Sequence, residues 1–171
     1  MIPTYKQALS LLRKYNLQKY KTSHSKQVAK TAKDIATKIS SKHPELKIDV
    51  NLVEIAALLH DIDSAQNIKK TGDHGKIAKQ ILEKEGIDPQ IAKIALTHPV
   101  DAIIDPARPP TSLEEKIVAY ADKLVKKDKI TTLDKRFQLW LKEDNSKTQQ
   151  QIFKKAYPEF KKLEKELISL F

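Results

Sequence analysis

The sequence predicts an all-α protein. Three glycines in 171 residues, an abundance of Leu, Ile, Ala, Lys and Glu, and apolar residues recurring at three- and four-residue steps all favour helices over strands. The length suits one compact domain spanning residues 1–171. With no cysteine, neither a disulfide framework nor a thiolate zinc site is possible. The opening "MIPTYKQALS" lacks a basic start followed by an apolar signal segment, and no apolar run approaches the ~18 residues that span a bilayer. A cytoplasmic protein with no membrane partner is the expectation.

The helices follow in order. The first runs from about Thr4 to Tyr15, with Ala8, Leu9, Leu11 and Leu12 on its apolar face. A second covers about Ser23–Ser41, where Val28, Ala32, Ile35 and Ile39 form a stripe that reaches His24 one turn earlier. Asp49 caps a third, which carries Leu52, Ile55, Ala56 and Leu59 up to His60. After the polar loop "DSAQNIKKTGD", a fourth helix reads "HGKIAKQILEKEG", with His74 opening the stripe of Ile77, Ala78, Ile81 and Leu82 and Gly86 closing it.

Asp88 as cap and Pro89 at the first helical position start a fifth helix, which spaces Ile91, Ile94, Ala95 and His98 along one side before Pro99 stops it. Ser112 and Glu115 read as a capping box for a sixth through Ile117, Val118, Ala121 and Leu124, with Asp122 at the margin of its face. In a supporting C-terminal region, 127–171, Leu133, Phe137, Trp140 and Leu141 mark a short helix. Ile152, Phe153, Ala156, Phe160, Leu163 and Leu167 mark a longer one, with a kink or break expected at Pro158.

Four of the five histidines, His24, His60, His74 and His98, thus lie on or beside the apolar face of four different helices. One inward histidine is an ordinary core residue satisfied by a single hydrogen bond. Four converging on one core must be paired or neutralised, which a shared metal centre achieves. Neutral imidazole suits Mn, Fe, Co, Ni or Zn, and carboxylates add harder donors that can bridge two cations. His60 and Asp61 point about 100° apart on a helix, so they reach different sides of a metal at the helix end. His43 precedes a proline off any apolar stripe and is excluded as a surface residue.

The order "TSHSKQVA", "ALLHDID", "GDHGKIA", "LTHPVD" and "VAYADKL" resembles the HD-domain superfamily of metal-dependent phosphohydrolases, in the branch with two additional histidines. The resemblance covers about residues 20–126 and implies an HD-domain helical bundle with a metal site between its helices. It places His24, His60, Asp61 and Asp122 around one divalent transition metal, and His74 and His98 at a second with Asp61 bridging. His60, Asp61 and Asp122 are its catalytic residues. A layout similar to that of symmetrical dinucleoside-tetraphosphate hydrolases and HD-type cyclic-dinucleotide phosphodiesterases implies hydrolysis by a metal-activated hydroxide. The substrate so implied is a nucleotide or related small phosphate ester. Two other classes share the scaffold: a mixed-valent diiron oxygenase, and a non-catalytic nucleotide-sensing module, against which stands the full set of six ligands.

The family's HDIG followed by a phosphate-touching lysine is here His60-Asp61-Ile62-Asp63-Ser64. Lys69, Lys70, Lys123 or Arg108 are the candidates to replace that lysine, and Asp63 reads equally as orienting a ligand histidine, capping a helix end or facing water. The formal charge of +10 is uneven: residues 1–60 carry 11 basic and 4 acidic side chains, 61–122 carry 8 and 11, and 123–171 carry 13 and 7. Basic ends around an acidic middle read either as solvated helix faces or as a rim that draws polyanions, with nucleic acid a possible but less favoured partner.

Overall fold

A computed structural model describes residues 1–65, 74–144 and 146–171. Among these are eight α-helices: α1 (Tyr5–Lys14), α2 (Lys19–Lys42), α3 (Val50–Leu59), α4 (Lys76–Lys84), α5 (Pro89–Thr97), α6 (Leu113–Lys123), α7 (Leu133–Glu143) and α8 (Lys147–Ile168). The strands β1 (Val125–Lys126) and β2 (Lys129–Ile130) form a small antiparallel hairpin, and short 3₁₀ turns cover Pro44–Leu46, Ile62–Ser64 and Ala102–Ile104. None of the described helices is long and apolar enough to cross a membrane.

Local chemistry sets most boundaries. Thr4 and Gln7 form a reciprocal capping box at α1, and the Asp49 carboxylate accepts the Leu52 N–H at α3. Asp88 accepts from Gln90 ahead of Pro89 at α5. Ser112 accepts the Glu115 N–H at α6 as expected, but the box is not reciprocal. The Glu115 carboxylate accepts instead from Thr111 N–H at 3.1 Å and pairs with Lys93 at 2.9 Å. Helix α2 begins a turn earlier than its apolar stripe suggests, because its first residues, Lys19 and Tyr20, are exposed and add nothing to that stripe.

Helix α3 is the axis of the bundle. Leu52, Val53, Ile55, Ala56, Ala57, Leu58 and Leu59 are all buried, with solvent reaching only its first turn at Val50, Asn51 and Glu54, and it packs against α1, α2, α5 and α6. A helix this apolar is stable only inside. Each fully buried leucine there contributes about 1.5–3 kcal/mol. Because α3 is fixed on several sides, the residues at its C-terminal end, His60 and Asp61, are held in place by the core itself.

Helix α8 runs unbroken through Pro158, contrary to the expected kink or break. Proline removes one i→i−4 bond, but Phe153, Ala156, Phe160, Leu163 and Leu167 stay buried as one stripe, partly against α6. Tyr157 and Lys161, which flank the proline, both bind Asp134 of α7, at 2.6 and 3.2 Å. Tertiary contacts hold the helix where the local sequence opposes it. Pro158 is exposed, so Pro158→Ala should raise stability, by up to about 3 kcal/mol, in urea denaturation. A loss of stability would show that the helix depends on the ring.

Candidate metal centre

Helices α3 and α5 end in the same way, and this starts the site. His60 follows α3 and turns its Nδ1 back to the Ala57 carbonyl at 2.6 Å; His98 follows α5 and does the same to Ala95 at 2.7 Å. Each thereby satisfies a carbonyl left open at a helix end. His24, on α2, directs Nδ1 to the Lys127 carbonyl in the hairpin at 2.9 Å, and His74 directs Nδ1 to the two Asp63 oxygens at 3.0 and 3.1 Å. Carbonyls and carboxylates only accept, so all four Nδ1 atoms carry hydrogen. All four Nε2 atoms are consequently left for the centre.

They meet there with two carboxylates. Asp122 Oδ1 lies 3.0 Å from His24 Nε2 and 3.5 Å from His60 Nε2. Asp61 Oδ1 lies 3.7 Å from His60, 3.3 Å from His74 and 3.5 Å from His98 Nε2, so one oxygen stands among three imidazoles. His74 and His98 face each other through Nε2 at 3.2 Å. Buried His60 Nε2 has no hydrogen-bond partner. A set of lone pairs and carboxylates with one nitrogen orphaned is the donor chemistry of a cation site, and His24/His60/Asp122, His60/Asp61/His98 and Asp61/Asp63/His74 each form a group compact enough to hold a metal ion. The residues present fit divalent metal.

Charge on these side chains follows from this crowding. Burial works against charge on His74, yet its bonds to Asp61 and Asp63 prevail and raise it to about 10. Burial drives His98 down to about 4, against the pull of Asp61 and with the repulsion of His60 and His74. Burial also opposes the ionised forms of Asp61 and Asp122, but neighbouring histidines, and Lys123 beside Asp122, hold both well below the usual carboxylate range. A proton on His74 between Asp61 and His98 therefore takes part of a cation's place.

The surrounding residues fix this arrangement. Asp63 accepts from His74 and from the Gly75 N–H at 2.8 Å, the orienting role among those open to it. His74 precedes α4 rather than opening it, because Gly75 at φ +84° turns the chain against the end of α5. A Cβ at Gly75 would come 2.8 Å from the Pro99 ring and 3.0 Å from the Ala95 carbonyl. Lys123, expected to contact phosphate, is buried, and its ammonium donates to Asp122 at 2.5 Å and to the His98 carbonyl at 2.9 Å.

Arg108 is not brought to the cavity beside the centre; Asp101 and Asp105 engage its guanidinium. Lys69 and Lys70 lie outside the described residues. His43 pairs with Glu45 away from the centre. Four basic residues that the sequence did not single out do line the cavity: Lys21, 3.3 Å from Asp61, Lys126 and Lys127 of the hairpin, and Arg136 of α7. Lys21 sits one turn before His24 on the same helix, a signal that was available; Arg136 offered none. Trp140, also at the cavity, stacks on Phe153 with rings 13° from parallel.

The HD domain family model matches residues 22–126. The chain belongs to the HD-domain family. It is 34% identical over 144 residues to a tRNA (cytidine(56)-2'-O)-methyltransferase of Thermoplasma volcanium, a match covering 75% of this chain but 38% of that protein. It is 32% identical over 147 residues to an uncharacterised protein of Methanocaldococcus jannaschii, covering 78% and 84% of the two chains. Ribonuclease Y of Desulfotalea psychrophila is 30% identical over 106 residues, or 62% of this chain and 19% of that enzyme. A crystal structure described as a predicted HD superfamily hydrolase, from an uncultured Thermotogales bacterium, shares the fold with a TM-score of 0.50 and 23% identity over 98% of this chain and 93% of its own.

His74 holds a proton at neutral pH, and a metal must take the lone pair that this proton occupies. Binding of Mn²⁺ at pH 7.5 should therefore release about one proton, and affinity should rise with pH toward 10. Calorimetry in buffers of differing ionisation enthalpy reads this directly; no release would place the metal away from His74.

Proposed function

We propose that this protein is a metal-dependent phosphohydrolase acting on a nucleotide or related phosphate ester. The observation that carries the reading is the convergence of four imidazole Nε2 atoms and two carboxylates at the base of a cavity of about 580 Å³ whose walls carry lysines and an arginine. That volume falls within the range of small-molecule sites. In this reading residues 1–171 act as one unit, since the hairpin after α6 supplies the Lys127 carbonyl that sets His24, and α7 supplies Arg136.

His24, His60, Asp61 and Asp122 would hold one divalent metal and His74 and His98 a second, with Asp61 shared. Bound divalent metals activate water at neutral pH and neutralise charge on phosphoryl oxygens. The chain's own residues supply the rest. The Nδ1–H bonds keep each imidazole in the tautomer that leaves Nε2 open. Lys123 fixes the Asp122 carboxylate through Oδ2, leaving Oδ1 toward His24 and His60, and Lys21 does the same for Asp61, whose Oδ1 faces His74 and His98. Asp61 and Asp122 line the cavity whose cationic walls would attract a phosphate ester, while fully buried His60 would act through the metal it helps to hold.

A phosphodiester in RNA is a second reading, supported by the ribonuclease Y relatives and by the tRNA-directed name of another. Phosphate or nucleotide release from AMP, ADP, a cyclic dinucleotide and a short RNA should depend on Mn²⁺ or a similar metal and stop on chelation. Asp61→Asn keeps the side chain's size but removes a shared anionic donor, so it should cut kcat by about 100-fold or more, reflecting several kcal/mol of lost charge stabilisation. Near-normal turnover in that variant would make Asp61 structural and sink the shared-ligand mechanism.

A further inference from the structure

Resting on the phosphohydrolase reading above, we infer that Arg136 and Lys127 form a subsite for a second phosphate, so that the substrate carries another phosphate beside the one at the metal centre.

The cations lining the cavity divide into two kinds. Lys21 and Lys123 are bound to Asp61 and Asp122, and Lys126 pairs with Glu143 at 3.0 Å. Arg136 and Lys127 make no salt bridge among the described residues, although Arg136 feels the charges of Asp122, Glu143 and Asp61 and both cations line the same cavity. Arg136 is half-buried and its buried Nε has no hydrogen-bond partner. An unsatisfied donor of a buried cation is costly unless a ligand completes it.

The guanidinium is also held in place. Its central carbon lies 4.5 Å from the centre of the Trp140 ring one turn later on α7, and Trp140 rests in turn on Phe153 of α8 at 5.1 Å. Cation–π packing of this kind orients a planar guanidinium without neutralising it, which suits two-pronged recognition of phosphate oxygens. Trp140, whose ring already carries Phe153 and Arg136, thus serves as the arginine's support. Lys127 stands on the hairpin turn in a left-handed conformation, φ 59°, that brings its carbonyl to His24 and leaves its exposed side chain at the cavity rim. Ligand set and free cations are joined through one residue. Bound metals would neutralise the phosphoryl group they hold, so two cations without a salt bridge, on the hairpin and on α7, match a further anion.

The second phosphate could belong to a polyphosphate chain or to a flanking nucleotide. Calorimetric titration of Mn-loaded protein should show pyrophosphate binding about tenfold or more tighter than orthophosphate. Arg136→Gln should lower pyrophosphate affinity about tenfold while leaving orthophosphate within about twofold, and Arg136→Lys should restore part of the loss. Lys127→Ala, on an exposed turn that tolerates the change, should weaken pyrophosphate selectively by a smaller factor. Equal losses for both anions, or no loss in either variant, would overturn the subsite. These binding readouts need no turnover, so an inactive protein with the selective pattern would fail the hydrolase reading alone. Where turnover is present, a lower KM for ADP than for AMP assigns the second phosphate to a polyphosphate chain. A lower KM for a 5'-phosphorylated dinucleotide assigns it to a flanking nucleotide, and equal KM for all three would overturn the proposal.

Discussion

The arrangement depends on four histidines that have all given the same nitrogen away. Each Nδ1–H is bound to an acceptor outside the centre, so the four Nε2 lone pairs have only one another and two carboxylates to face. Without a proton or a cation among them these groups repel, and burial removes the water that would screen them. The protein keeps them together by making the supports rigid. Two of the acceptors are carbonyls in the last turns of α3 and α5, one belongs to a hairpin, and one is a carboxylate on the turn after α3.

That requirement explains features that otherwise look unrelated. Helix α3 is wholly buried from Ile55 to Leu59, which holds its end in place, and α5 lies against it so that His60 and His98 rings meet edge to face at 4.7 Å. The position after His74 is glycine because its positive φ and its close approach to Pro99 and the Ala95 carbonyl leave no room for a side chain. Lys123 is among the most deeply buried side chains, a poor place for an ammonium unless a carboxylate and a carbonyl receive it, as Asp122 and His98 do.

Much of this was legible in the sequence, for a physical reason. Helical periodicity fixes which residues share a face, so His24, His60 and His98 could be placed inward and their convergence inferred from spacing, whereas Asp122, at the margin of its face, joined them through the family resemblance. Caps such as Asp49 and Asp88 are chemistry within a few residues and were equally readable. What could not be read depends on distant contacts. Pro158 breaks a helix by local rules, and only its packing against α6 and α7 overrides them. Arg108 and Lys123 read as candidate phosphate contacts, but in the fold Asp101 and Asp105 engage the one and Asp122 the other. Arg136 sits in an amphipathic helix with no motif around it, and its place at the cavity follows from how α7 folds back. The His74 stripe was misplaced by two residues because a left-handed glycine ends one turn and starts α4.

In the proposed arrangement the six residues serve two metals, with Asp61 shared. Elemental analysis of protein saturated with Mn²⁺ and freed of excess, paired with anomalous scattering from its crystals, tests it most directly. The account predicts two metals per chain, one beside His24, His60 and Asp122 and one beside His74 and His98, both in contact with Asp61. A single filled position under saturating Mn²⁺, Fe²⁺, Co²⁺ or Ni²⁺, or a second metal away from His74 and His98, would contradict it.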